Sequence, residues 1–465
     1  MKMQLIPIFA LLLGSALLLF AGGIHSLILP VRGSAEGFSA SALGLLGTGW
    51  AIGYVAGCLV APRLVGAVGH IRTFGVMCAF AAVSILLQAL VVETWTWIAV
   101  RAISGFCFAG AAMIVESWLS ERVDARSRGR VFGIYTMVNL FASTGGQMSL
   151  TLGDTTGFLF FALAGIFYCL ALVPTAISSS ATPQPLVNVR IDLRALWRNS
   201  PVAMFGVFLV GVSNSAFGTL AAVYAERIGL TLTSIALFAS VPILAGALSQ
   251  VPVGILSDRV DRRRALVGLA LVAVVADLAF ILLQPESRWA NLALVSLFGA
   301  AIFAMYPVIL AHANDHAAPG TSIQTSGGLL MVFGVGSIIG PLAAGVGMAY
   351  IGVSGLFLVS IVAHLALAAF TIWRISVRAP VPDADKGGFV FAPPARNATP
   401  ETAVFQAGAE AGPATRAAPA AAPAEAVPED PPAAAASSAG NAKEPAGDGG
   451  AGADAETPER KENGS

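Results

Sequence analysis

Gly254-Ile255-Leu256-Ser257-Asp258-Arg259-Val260-Asp261-Arg262-Arg263-Arg264 is the stretch of this 465-residue chain that decides its fold. It is short, polar and basic, and a long apolar run lies on each side of it. It reads as a tight turn at a membrane edge that joins two transmembrane helices. A degenerate copy lies 192 residues earlier, at Pro62-Arg63-Leu64-Val65-Gly66-Ala67-Val68-Gly69-His70-Ile71-Arg72. In both copies a helix is expected to end, the chain to turn and cationic residues to follow. That spacing divides the protein into two similar halves.

The composition agrees. Apolar residues make up 56% of the chain and charged residues 11%, where a soluble domain carries about 25% charged residues. Besides a first run from Leu5 to Leu29, apolar runs lie near 40–62, 73–92, 96–119, 131–152, 157–177, 202–225, 233–256, 265–284, 290–312, 323–348 and 353–375. Lys2 followed by an apolar run also fits a signal peptide, but about 25 residues is long for one. Its removal would leave an odd number of spans and break the repeat. Backbone groups in lipid must be satisfied within the segment, so the runs are expected to be helices. The expectation is an all-α membrane protein of twelve transmembrane helices.

The divisions follow: residues 1–177 as the first six-helix half, 178–200 as a linker, 201–378 as the second half, and 379–465 as an Ala/Pro-rich tail. That tail has too little apolar surface to build a core and is expected to be disordered. Lys and Arg in the short loops set the orientation. Sixteen fall on the side of the chain termini, Arg126 and Arg190 among them, and three on the other, Arg32, Arg227 and Arg288. Both termini are therefore expected in the cytoplasm, and the protein in a bacterial plasma membrane. The basic residues form no continuous stripe, so nucleic acid is not expected as a partner. The lipid bilayer and a small solute are, and the chain is expected to be a monomer. Cys58, Cys78, Cys107 and Cys169 lie inside apolar runs without metal-ligand spacing and read as small buried thiols.

A second witness to the repeat lies in the fifth and eleventh spans. Gly133, Met137, Val138, Ser143, Gly146 and Gln147 align with Gly327, Met331, Val332, Ser337, Gly340 and Pro341 at an offset of 194. Two segments at nearly one offset point to two halves of the same build. Parallel halves of this kind enclose a central cavity whose access alternates by rocking.

On these residues the chain resembles the major facilitator superfamily. Gly254-x-Leu256-x-Asp258-Arg259-x-x-Arg262-Arg263 is similar to its signature loop, with Asp261 where a glycine is usual. The first-half copy departs further: Gly66 stands at the usual Asp position, and His70 and Ile71 at basic positions. Arg101-Ala102-Ile103-Ser104-Gly105 resembles a pattern of proton-coupled members, and Arg128-Gly129-Arg130 their loop between the fourth and fifth helices. Val115-Glu116-Ser117, Gly146-Gln147, Tyr306-Pro307-Val308 and Gly336-Ser337-Ile338-Ile339-Gly340-Pro341 are most like the YcaD-like bacterial subgroup. The resemblance covers about residues 5–375.

The resemblance implies a gating role for Asp258, Arg259, Arg262 and Arg263, with Asp258 facing the start of the fifth helix near Arg130 in one rocking state. The bland alternative is a loop that only obeys the charge rule. Arg101 lies inside the fourth span, where a charge usually faces a cavity or a partner. It is either an anion or coupling residue, as the resemblance implies, or a side chain that snorkels outward. Glu116 lies on the same helix about 22 Å away. It is either a protonatable carboxyl or the partner of a loop arginine such as Arg122 or Arg128. Asn139, Gln147, Asn214 and Tyr306, the last before a helix-breaking Pro307, are candidates for substrate contact, since the resemblance puts their helices around the cavity. Asp277 falls in a helix that the resemblance makes peripheral, and reads as structural. Gly49, Gly53 and Gly57 share one helix face and read as packing. His312 and His316 are too few for a metal site.

No nucleophile–base pair or phosphate loop stands out, so no enzymatic activity, cofactor or metal is expected. A proton is the coupling ion that the resemblance implies, through Arg101 and Glu116. The expectation is a secondary transporter of a small solute, with export preferred. The alternative is a transporter-like sensor or assembly factor that binds a ligand without moving it.

Overall fold

The computed structural model describes residues 2–123, 127–177, 192–318, 320–382, 386–389, 391–393 and 395–402. Among these are twelve long helices and one short one: α1 (Lys2–Ala35), α2 (Ala40–Val68), α3 (His70–Leu90), α4 (Thr94–Arg122), α5 (Arg128–Ser149), α6 (Leu159–Ile177), the short α7 (Leu193–Asn199), α8 (Pro201–Arg227), α9 (Leu232–Arg259), α10 (Arg262–Leu283), α11 (Arg288–Asn314), α12 (Ser322–Tyr350) and α13 (Gly355–Val377). Eleven of them are long and apolar enough to cross a membrane. The twelfth, α5, has the length but carries Thr136, Asn139, Ser143, Thr144 and Gln147. Its polar residues serve the interior of the bundle.

The two halves repeat their packing. In the first, α1 crosses α5 where a Cβ on Gly146 would run into the backbone of Phe20 and Ile24. In the second, α8 crosses α12, and Gly336 and Gly340 meet the backbone of Phe208 and Val212. The glycine comb of α2 does what its spacing implies. Cβ atoms on Gly49 and Gly57 would lie 2.8 and 2.6 Å from the carbonyl oxygens of Ile98 and Phe106 on α4. Without a hydrophobic drive between helices in lipid, such close approach supplies the dispersion that holds them.

Each half also ties its first, third and sixth helices with a buried polar knot. His25 on α1 bonds Gln88 on α3 at 2.9 Å and the Tyr168 hydroxyl on α6 at 3.2 Å. In the second half, His364 on α13 bonds Asp277 on α10 at 3.2 Å. Ser360, one turn away on α13, reaches Ser213 on α8 at 3.1 Å. Asp277 thus has a structural partner, and His364 is that partner.

Several sequence expectations need correction. α11 runs unbroken through Pro307, because a membrane helix tolerates the lost hydrogen bond when its neighbours enclose it. Cys169 is exposed on α6 rather than buried. α2 continues through Pro62 to Val68, so the first-half turn is the single residue Gly69 at φ 86°, a left-handed conformation glycine adopts without strain. α7 was hidden in the polar linker. Asp192 caps it by accepting from the Ala195 amide, and Leu196 is its buried residue. Linker residues 178–191, with Arg190, lie outside the described residues, as do Arg126 and tail residues 403–465.

Candidate functional site

Twelve antiparallel passes put the start of α1 and the end of α13 on one face, here the terminal face. On the opposite, distal face the halves are closed on one another. Ser34 on α1 donates to Glu226 on α8. Thr48 on α2 donates to the Ile338 carbonyl on α12 at 2.8 Å. Ser240 on α9 donates to Gln147 on α5 at 2.6 Å. A Cβ on Gly345 would lie 2.7 Å from the Ala40 carbonyl oxygen.

Toward the terminal face the halves are bridged by the chain's own tail. Lys386 donates to the Val260 carbonyl at 3.0 Å, and the Gly387 amide to Asp315 at 3.0 Å. The Phe389 amide donates to Asp258 at 3.3 Å. The side-chain amide of Gln250 grips Ala392 on both sides, donating to its carbonyl at 3.0 Å and accepting from its N–H at 3.1 Å. The segment then crosses to the first half. The Tyr54 hydroxyl donates to the Ala398 carbonyl at 3.0 Å, and Thr402 donates to Glu116 at 2.8 Å, with Thr399 on the same carboxylate oxygen. This stretch differs from the solvated tail expected from composition. It builds no core of its own: Ala392 and Ala395 join the core of the bundle, Phe389 packs against it, and Gln250, Tyr54 and Glu116 hold the segment by hydrogen bonds.

Three voids of about 110, 60 and 50 Å³ remain inside the bundle, and tail residues line each of them. The largest is walled by Arg101, Ser143, Gln147 and Asn214, by the aromatic rings of Trp50, Tyr168 and Phe217, and by Arg396 and Asn397 of the tail. Arg101 is 7% exposed and faces this void. Its guanidinium lies 6.0 Å from the centroid of the Trp50 ring, at the edge of cation–π range. Arg396 lies 4.9 Å from the same ring. Burial lowers the Arg396 pKa to about 10, which leaves it charged at neutral pH.

The other candidates fall in three places. Gln147 and Asn214 line the void with Arg101, and the Asn214 Oδ1 is buried without a partner among the described residues. Glu116 and Asn139 line the smallest void, nearer the terminal face. Glu116 is 2% exposed and accepts from the Tyr135 hydroxyl at 3.1 Å as well as from the two threonines. Arg128's side chain lies outside the described residues. Asn139 accepts from Ser15 at 2.7 Å. Tyr306 stands apart, buried edge-on against Phe333 at 5.9 Å.

The loop residues form a brace. Arg262 is buried and binds Asp315 at 2.7 Å, Asp258 at 3.0 Å, Ser257 at 3.3 Å and the Gly387 carbonyl. Asp261 caps α10 through the Arg263 amide at 3.0 Å and holds the Arg263 side chain at 2.7 Å. Burial alone would raise the Asp261 pKa, but the Arg263 contacts hold it below the usual value. Arg263 also donates to the carbonyls of Arg374 and Arg378, while Arg259 is exposed. Asp258 is engaged by Arg262 and the tail rather than by α5, as fits a terminal face with the tail between its halves. His316 bonds the His312 carbonyl at 2.9 Å.

Sequence reasoning missed Trp50, Tyr135, Arg396, Thr399 and Thr402. The tail residues left a faint signal: Phe389, Phe391 and Arg396 precede the monotonous Ala/Pro repeats.

The Major Facilitator Superfamily family model matches residues 11–326 and 203–422. A relative from Escherichia coli, "Uncharacterized MFS-type transporter YcaD", is 26% identical over 344 residues, 72% of this chain and 87% of its own. An "Uncharacterized MFS-type transporter" of Yersinia pestis is 24% identical over 339 residues, with the same coverage. Among solved structures, a bacterial homologue of the human lysosomal transporter Spinster, inward-facing and occupied, superposes with a TM-score of 0.66 at 15% identity. That match covers 82% of this chain and 97% of the other. The nucleoside transporter NupG superposes at 0.62 and 14% identity, over 81% and 99%. These structural likenesses speak for the fold and the family match for descent; the relatives it resembles are MFS-type transporters, YcaD among them, and the chain belongs to the Major Facilitator Superfamily.

Proposed function

We propose that this membrane transporter is a secondary active one, moving a small solute by alternating access. The observation that carries the reading is the cavity. Two six-helix halves meet around a void at membrane depth whose wall carries Arg101, Gln147 and Asn214, sealed by direct contacts on one face and bridged on the other through the tail. Arg101, Gln147 and Asn214 are the solute-contacting residues in this reading. Glu116, on the same helix as Arg101 and surrounded by hydroxyl donors, is the proton-coupling group. The terminal face is cytoplasmic by the Lys and Arg bias of its loops, in a bacterial plasma membrane. The mostly apolar walls favour export.

The test is counterflow in proteoliposomes, using solutes selected by thermal stabilisation of the detergent-purified protein. A pH gradient should accelerate net flux by wild type. Glu116→Gln should abolish that acceleration and keep solute exchange. Flux that is indifferent to the gradient in both proteins would rule out coupling through Glu116. Saturable binding without flux would instead favour a ligand-binding sensor.

A further inference from the structure

The largest void holds two guanidinium groups and, among the described residues, no carboxylate lines it. Arg101 comes from α4 and Arg396 from the tail, and both lie within 6.0 Å of the centroid of the Trp50 ring. Neither donates a hydrogen bond to protein among the described residues, although a guanidinium carries five N–H donors. Two like charges drawn into one enclosed space are costly unless an opposite charge joins them. Glu116 does not supply it. It is about 22 Å along α4 from Arg101 by helical rise, and its oxygens are taken by Tyr135, Thr399 and Thr402. The remaining polar wall also offers donors. Gln147 has its Oε1 occupied by Ser240, which leaves its NH₂ for the void. Across from Arg396, a side chain at Gly218 would collide with the guanidinium.

We propose that this void is an oxyanion site assembled from two pieces, Arg101 of the bundle and Arg396 of the tail, and that it takes a small solute bearing a carboxylate or phosphate. The inference rests on the reading of the cavity as the solute site and names its substrate class. It makes the tail part of that site. The anion ties Arg396 to Arg101, and so ties the seated tail across both halves.

The test is thermal unfolding of the full-length protein in phosphatidylcholine nanodiscs at constant ionic strength. Succinate, citrate and inorganic phosphate are titrated as probes, with tetraethylammonium as the cation control. At least one oxyanion should stabilise wild type saturably. Arg101→Ala and Arg396→Ala should each weaken its apparent affinity tenfold or more, with Arg396→Lys in between, because a single ammonium replaces a bidentate fork. Absence of a shift with every oxyanion, or a shift in both alanine variants that equals the wild-type shift, overturns the proposal. Stabilisation by tetraethylammonium alone also overturns it, while leaving the solute cavity standing. A shift that appears only when phosphatidylglycerol replaces phosphatidylcholine assigns the site to a lipid headgroup and overturns the solute assignment. Saturable oxyanion binding without flux in proteoliposomes supports the site and counts against transport.

Discussion

Thr402 donates a hydrogen bond of 2.8 Å to Glu116 across 286 residues of sequence. The carboxylate proposed to carry the coupling proton is therefore in contact with the tail, and Thr399 reaches the same oxygen. Removing both hydroxyls while keeping shape should release the tail. Cys58 on α2 lines a void together with Ala398 and Pro400, so it reports the event. In the full-length Thr399→Val/Thr402→Val variant, maleimide labelling of Cys58, read by mass spectrometry apart from exposed Cys169, should be about tenfold faster than in wild type. That factor corresponds to about 1.4 kcal/mol of lost anchoring, an ordinary value for bonds to a charged group. Equal rates would show that the threonines do not hold the tail.

The Asp277–His364 pair joins α10 to α13 with no exposure of either side chain beyond 1%. Asp277→Ala or His364→Ala alone should cost roughly 1–3 kcal/mol, because each leaves a buried polar partner unsatisfied. The double variant should cost less than the sum of the singles. Thermal unfolding of the four proteins in detergent measures this, and strict additivity would mean the contact contributes nothing.

Asp261 stands where the superfamily loop usually has glycine, and here it both caps α10 and holds Arg263. Asp261→Ala should destabilise by about 1 kcal/mol through the cap, and Asp261→Asn by less. The pH dependence has a definite sign. The carboxyl's folded pKa is depressed, so its contribution is full above the unfolded aspartate value of about 3.9 and is lost as pH falls through the folded value. The stability gap between wild type and Asp261→Asn should therefore be constant from pH 8 to 5 and narrow below about 4. A gap that widens with acid would contradict the depressed pKa.

Two glycines of α2 should behave oppositely. A Cβ on Gly53 would run into the Ala102 backbone, whereas one on Gly66 meets nothing within 4 Å. Gly53→Ala should cost roughly 1–3 kcal/mol by overpacking, and Gly66→Ala should be neutral or stabilising by up to about 1 kcal/mol. Unfolding temperatures of the two variants check the contrast.

The helical framework was legible because hydropathy, loop charge and the 192- and 194-residue offsets all carry the same message. α5 was the least legible by hydropathy alone, and for a functional reason: Asn139 and Gln147, which lower its apolar content, face inside. Arg101 and Glu116 stood out because a charge in lipid needs a partner or a cavity. What each one meets was not legible. Tyr135 lies nineteen residues beyond Glu116, and Thr399 and Thr402 lie in a stretch with no apolar period. Trp50 reads as one more apolar residue until two guanidinium groups are placed beside it. The Asp277–His364 pair was hidden in the same way, because long-range polar contacts leave no local pattern.

Alternating access, as proposed, requires the two halves to exchange closure of the distal face for closure of the terminal face. The direct measurement is electron–electron double resonance on two spin-label pairs in nanodiscs, Ser39 with Arg227 across the distal ends and Arg72 with Arg264 across the terminal ends. Each is an exposed position, one per half. Between pH 5 and 8, and again on release of the tail by Thr399→Val/Thr402→Val, the account predicts a second population at each pair. The distal distance should lengthen as the terminal one shortens, in matching fractions. One unchanging distance at both pairs, or lengthening at both together, would contradict it.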